Sequence, residues 1–92
     1  FYENKLKVKL NDKWGIIDEY DNIIVLFIYD YIWNLQENRA RLCKNSKWGF
    51  IDENGNEIIE CKYDWVLKFN NGKVLVELNN KRFYIDKNGD RL

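Results

Sequence analysis

The chain has 92 residues, 15 basic and 15 acidic, so its formal net charge is zero, and the two signs are interspersed rather than blocked. That balance leaves no electrostatic footprint for nucleic acid or an anionic membrane, and the longest apolar run, Ile23 to Ile28, is far short of the roughly 20 residues of a spanning helix. A chain this short is at most one small domain burying roughly 60 to 65% of its unfolded surface, so its four Trp, six Tyr and five Phe must supply much of the core.

Lys5-Leu6-Lys7-Val8-Lys9-Leu10 alternates polar and apolar residues, the period of a half-buried strand. The link Asn11-Asp12 follows, made of residues that tolerate the left-handed conformation of a tight hairpin turn. The next strand is Lys13-Trp14-Gly15-Ile16-Ile17-Asp18, with Trp14, Ile16 and Asp18 on one face and Gly15 and Ile17 on the other. A third strand runs from Ile23 to Phe27. The unit closes on an aromatic segment, Tyr29 to Trp33, and a polar bend at Gln36-Glu37-Asn38.

The order then repeats. After the link Asn45-Ser46 comes Lys47-Trp48-Gly49-Phe50-Ile51-Asp52, then the turn Glu53-Asn54-Gly55-Asn56, a strand from Glu57 to Cys61, the segment Tyr63 to Leu67, and a bend at Asn70-Asn71-Gly72. A third pass gives the alternating strand Lys73 to Leu78, the link Asn79-Asn80, the decayed hexamer Lys81-Arg82-Phe83-Tyr84-Ile85-Asp86, and the turn Lys87-Asn88-Gly89-Asp90. The hexamers start at positions 13, 47 and 81, a period of 34 without insertion. The same offset aligns Tyr29-Asp30 with Tyr63-Asp64, Glu3-Asn4 with Glu37-Asn38, and Asn22 with Asn56. A fixed period of this size marks one supersecondary unit copied and stacked. Helix-pair repeats share the period but need Ala-rich helical spacing, and this chain has one Ala. The expected fold is all-β: tandem units 1–34, 35–68 and an incomplete 69–92, each of about three antiparallel strands, in a curved meander or solenoid. The third copy stops before its Tyr-Asp pair and the chain starts without Met, so it is expected to be a piece of a longer array.

Lys47-Trp48-Gly49-Phe50-Ile51-Asp52-Glu53-Asn54-Gly55-Asn56-Glu57-Ile58-Ile59, followed by Lys62-Tyr63-Asp64 and the Gly72 bend, resembles the bacterial WG-repeat family, also called WG-containing or KWG repeats. The resemblance covers the whole chain. The first copy departs from it with Tyr20-Asp21 in place of Asn-Gly, the third with Arg82-Phe83 in place of Trp-Gly, and Leu26 and Glu60 stand where Pro is common. The resemblance implies an all-β array from bacterial multi-repeat proteins with a presumed binding role.

Chemistry is scarce. Without His or Thr, and with Ser46 alone in a hairpin link, no Ser/His or Cys/His nucleophile pair can be built. Asp18, Asp52 and Asp86 recur at strand ends, where a carboxylate caps the following turn. The run Asp52 to Glu57 offers clustered oxygens, but its Gly55 is fourth rather than sixth, against the spacing of a calcium loop. No catalytic residue, metal or cofactor is expected. Cys43 and Cys61 occupy non-equivalent places and are expected as free thiols.

Trp14 and Trp48 recur at one phase and are expected as mostly buried contacts between units, with Gly15 and Gly49 allowing close backbone approach. Trp33 and Trp65 differ in phase, aligning with Leu67 and Tyr31, and so are candidate ligand contacts together with Tyr31. Lys5, Lys7, Lys9, Arg39 and Arg41 are expected to form a solvated face. These readings lead to a non-catalytic module with a β surface for a protein partner. Surface glycan binding through Tyr31, Trp33 and Trp65 is the alternative; nucleic acid and membrane insertion are not expected. The third copy, where Phe83 replaces the Gly, is expected to fray or self-associate.

Overall fold

The computed structural model describes residues 4–92, so Glu3 of the repeat alignment lies outside the described residues. Ten strands follow one another: β1 (Lys5–Leu10), β2 (Lys13–Asp18), β3 (Ile23–Tyr29), β4 (Tyr31–Gln36), β5 (Arg39–Lys44), β6 (Lys47–Ile51), β7 (Glu57–Tyr63), β8 (Trp65–Val66), β9 (Lys73–Leu78) and β10 (Lys81–Asp86). No helix occurs among the described residues. The hexamers are strands β2, β6 and β10, as the alternation predicts.

Every hairpin turn forms where the sequence places it, for a common reason. In Asn11-Asp12, Asn45-Ser46 and Asn79-Asn80 both residues have positive φ, between 51° and 66°, the conformation a two-residue turn needs to match strand twist. Glu37-Asn38 and Asn71-Gly72 do the same. After the hexamers, Gly55 and Gly89 take φ of 88° and 91°. In the first copy Asp21 occupies the same place with φ 66°, and its amide bonds Asp18 O at 3.2 Å as Gly55 bonds Asp52 O. The missing Asn-Gly therefore costs some backbone strain but not the turn.

The strands form three antiparallel sheets, β1-β2-β3, β4-β5-β6-β7 and β8-β9-β10. The aromatic segments expected to close each unit are instead divided. Tyr29 and Tyr63 end β3 and β7, the chain breaks at Asp30 and Asp64, and Tyr31 and Trp65 open strands of the next sheet. The first and second periods thus each supply three strands to their own sheet and one to the following sheet, an exchange that ties neighbouring units together.

Two hydrophobic cores lie between consecutive sheets. The first joins Ile16, Val25 and Tyr29 to Ile32, Ala40, Leu42 and Ile51; the second joins Phe50, Ile59 and Tyr63 to Val66, Phe69, Val74, Val76 and Ile85. Because side chains alternate across a strand, adjacent Phe50 and Ile51 enter different cores, and the middle sheet is covered on both faces. The assembly is a slab of 41 × 26 × 14 Å with no closed barrel.

Candidate binding groove

The recurring polar residues hold the array together. Asp52 Oδ1 accepts from the amides of Asn54 and Asn56, both at 2.9 Å; Asp18 does so from Tyr20 and Asn22, and Asp86 from Asn88 and Asp90. Burial pushes the Asp52 carboxyl upward, but its bonds from Asn56 and Asn54 and the nearby Arg39 charge outweigh this and hold it below the usual carboxylate range. The Asn22 side chain, with the turn amides, lowers Asp18 likewise.

Asp30 and Asp64, at the crossings between sheets, form a clasp. Lys13 donates to Asp30 and Lys47 to Asp64, while the second oxygen of each accepts the amide of Asn45 at 3.1 Å or Asn79 at 3.0 Å. One carboxylate thus joins a hexamer lysine to the hairpin turn of the next sheet. The lysine bond, ahead of the amide bond, lowers the Asp64 carboxyl, and Lys13 lowers Asp30 against some desolvation. Tyr29 adds a further tie across the sheets by donating its hydroxyl to Glu57. These contacts give the Lys of the hexamer and the Asp of the Tyr-Asp pair a shared structural task.

Trp14 and Trp48 pack against the first and second cores respectively, partly buried at the core margins. The adjacent glycines face a bulge in the next strand: a Cβ on Gly15 would lie 2.6 Å from Val25 O, and one on Gly49 2.3 Å from Ile59 O. In the third copy Phe83 stands at the Gly position, and the described residues after β10 pair back onto it at the Ile85–Arg91 bridge and through Leu92 N to Tyr84 O. The Phe83 ring meets Tyr63 edge-on at 6.2 Å, with the Arg91 guanidinium 4.3 Å from its centre.

Of the candidate ligand contacts, Tyr31 and Trp33 come together and Trp65 does not. A groove of about 450 Å³ between the first and second sheets is lined by Lys7, Lys9, Trp14, Tyr31, Ile32, Trp33 and Asn34. Past Trp33 a smaller hollow of about 120 Å³ adds Gln36, Arg39, Arg41 and Lys68. Tyr31 and Trp33 are 57% and 47% exposed, enough to offer ring surface to a ligand. Tyr31 stacks parallel to Trp48 at 6.5 Å, and the Arg41 guanidinium lies 4.7 Å from the Trp33 ring centre. Trp65 is half-buried on the third sheet under Arg82 at 5.0 Å.

The basic residues of β1 and β5 do more than form a solvated face. Lys7 bridges the sheets by donating to Ile32 O at 2.9 Å, and Arg39 donates through Nε to Lys87 O at 2.9 Å. Half-buried Arg41 covers Trp33, and burial lowers its pKa. Their part in the groove was missed because strand alternation alone sends them outward. The available signal was Lys7 and Arg41, basic residues one period apart, with Leu75 breaking the series.

Among the described residues no cluster of three His, Cys, Asp or Glu side chains could hold a metal ion. Cys43 and Cys61 are free; burial raises both thiols, Cys61 to about 12 with help from Glu57. Such thiols are poor nucleophiles at neutral pH.

No curated protein and no solved structure matches the chain. The family described as WG containing repeat matches it twice, over residues 14–48 and 48–81. Both matches start on a hexamer Trp and run through the capped turn and the Asp clasp to the next sheet. With these parts playing the same roles in successive sheets, the chain belongs to the WG containing repeat family.

Proposed function

We propose that the chain is a non-catalytic binding module whose protein partner adds an extended apolar segment to the edge of β3. The carrying observation is a contrast between equivalent edges. β3 and β7 are each the last strand of their sheet, and an unpaired edge offers its backbone to another chain. On β7 the positions Glu57, Glu60 and Lys62 are charged, which discourages such pairing. Their counterparts on β3 are Ile23, Leu26 and Ile28, which are 56%, 62% and 42% exposed. Loss of charge at each of these positions in one copy supports an apolar partner there rather than solvent.

The test places a photo-crosslinking residue at Leu26 of the full chain in lysate of the source cells. A discrete protein adduct is expected, and it should disappear when Ile23→Glu and Ile28→Lys restore the β7 pattern. An adduct indifferent to those substitutions, or none, would reject the reading.

A further inference from the structure

We propose that the groove between the first and second sheets binds an acidic polysaccharide of the uronic-acid type, stacked on Trp33 and Tyr31 and paired with Lys9 and Arg41. This site is separate from the β3 edge and does not depend on it. Its charge is the first argument. The groove and the adjoining hollow are lined by Lys7, Lys9, Arg39, Arg41 and Lys68 and by no carboxylate, in a chain whose total charges balance. Of the carboxylates that flank β4, Asp30 is held by Lys13 and the Asn45 amide, and Glu37 by the amides of Asn71 and Gly72 at 2.7 and 2.8 Å; Asp12, in the turn three residues after Lys9, is not among the lining residues. Local cations within a neutral molecule act on an anion seated among them rather than at a distance, because attraction falls off within about 10 Å in salt.

Shape and polarity are the second argument. The space of about 450 Å³ lies within the range of small-molecule sites, roughly 300 to 1,000 Å³, and is open to solvent rather than enclosed, as a chain ligand requires. Trp33 has one side braced by Arg41 at 4.7 Å and is still 47% exposed, so a flat ring surface is held ready. The C–H face of a pyranose is apolar with slightly positive hydrogens and fits the negative face of an indole. Asn34 and Gln36, beside the ring, offer both donors and acceptors, as a hydroxyl-bearing chain needs.

The test uses polygalacturonate as probe, with dextran, polyglutamate and an oligothymidylate as competitors, read by native-gel retardation and Trp fluorescence. Polygalacturonate should retard the full chain and dextran should not. Trp33→Ala should weaken binding tenfold or more, Lys9→Gln and Arg41→Gln fivefold or more, and Trp65→Ala less than twofold. Lys9 is exposed, so Lys9→Gln decides the matter even if Trp33→Ala fails to fold. Ile28→Asn, which changes the β3 edge without adding charge, should leave glycan binding within twofold, so the two readings stand or fall separately. Polyglutamate or oligothymidylate bound as tightly, dextran bound equally, or no retardation at all would overturn the proposal.

Discussion

At Gly49 a Cβ would approach Ile59 O to 2.3 Å and Cys61 N to 2.8 Å, both backbone atoms that cannot swing aside. The approach arises because β7 bulges opposite β6, with register shifts on both sides of Phe50, and the extra residue pushes a carbonyl toward the hexamer strand. Gly49→Ala must therefore separate the strands or flatten the bulge, either of which disturbs Phe50 and Tyr63 in the second core. The expected loss is about 1 to 3 kcal/mol, the usual range for overpacking a filled site. Urea unfolding checks it, and a midpoint equal to wild type would show that the bulge yields freely. The same geometry explains why Trp-Gly is the recognisable pair: the Trp seals an inter-sheet core while the Gly admits the bulge beside it.

Between elements, the Asp clasp makes stability depend on pH. Asp30 and Asp64 have folded pKa values held below the unfolded value of about 3.9, so their contribution is present above that value and is lost as pH falls through the folded one. The urea midpoint should be level from pH 7 to about 5 and fall below about 4. Asp64→Asn should lower the neutral plateau and shallow the acid slope, because the amide gains no proton; Asp18 and Asp52 keep part of the slope. A variant with the wild-type plateau and slope would remove the clasp from the account. Strand order and hairpins were legible because alternation and Asn-rich links are local signals. The crossing at Asp30 was not, since Tyr29, Asp30 and Tyr31 read as one aromatic run and the contacts that divide it come from Lys13, 17 residues earlier, and from Asn45 in the next sheet. The groove was legible in part: Tyr31 and Trp33 announce themselves by exposure-prone rings out of phase, whereas Lys9 and Arg41 acquire their place only when two sheets meet.

Across the whole molecule, stability should spread from the middle sheet outward, because its two faces belong to different cores. In a stack of this kind each sheet is stabilised mainly by its neighbours, so damage confined to one core should loosen one end before the other. Phe50 offers the sharpest case. It is fully buried, meets Phe69 edge-on at 4.8 Å, and lies in the second core, while its neighbour Ile51 lies in the first. Phe50→Ala should cost about 3 to 5 kcal/mol, within the roughly 5 to 15 kcal/mol available to a small domain. Amide hydrogen exchange should then accelerate most in β9 and β10 and least in β1 and β2. Ile16→Ala, in the first core, should reverse the order and free β1 to β3 while β9 and β10 stay protected. If either substitution instead raises exchange equally in all three sheets, the strands exchanged at Asp30 and Asp64 weld the units into one cooperative block, and the nearest-neighbour description fails for this chain.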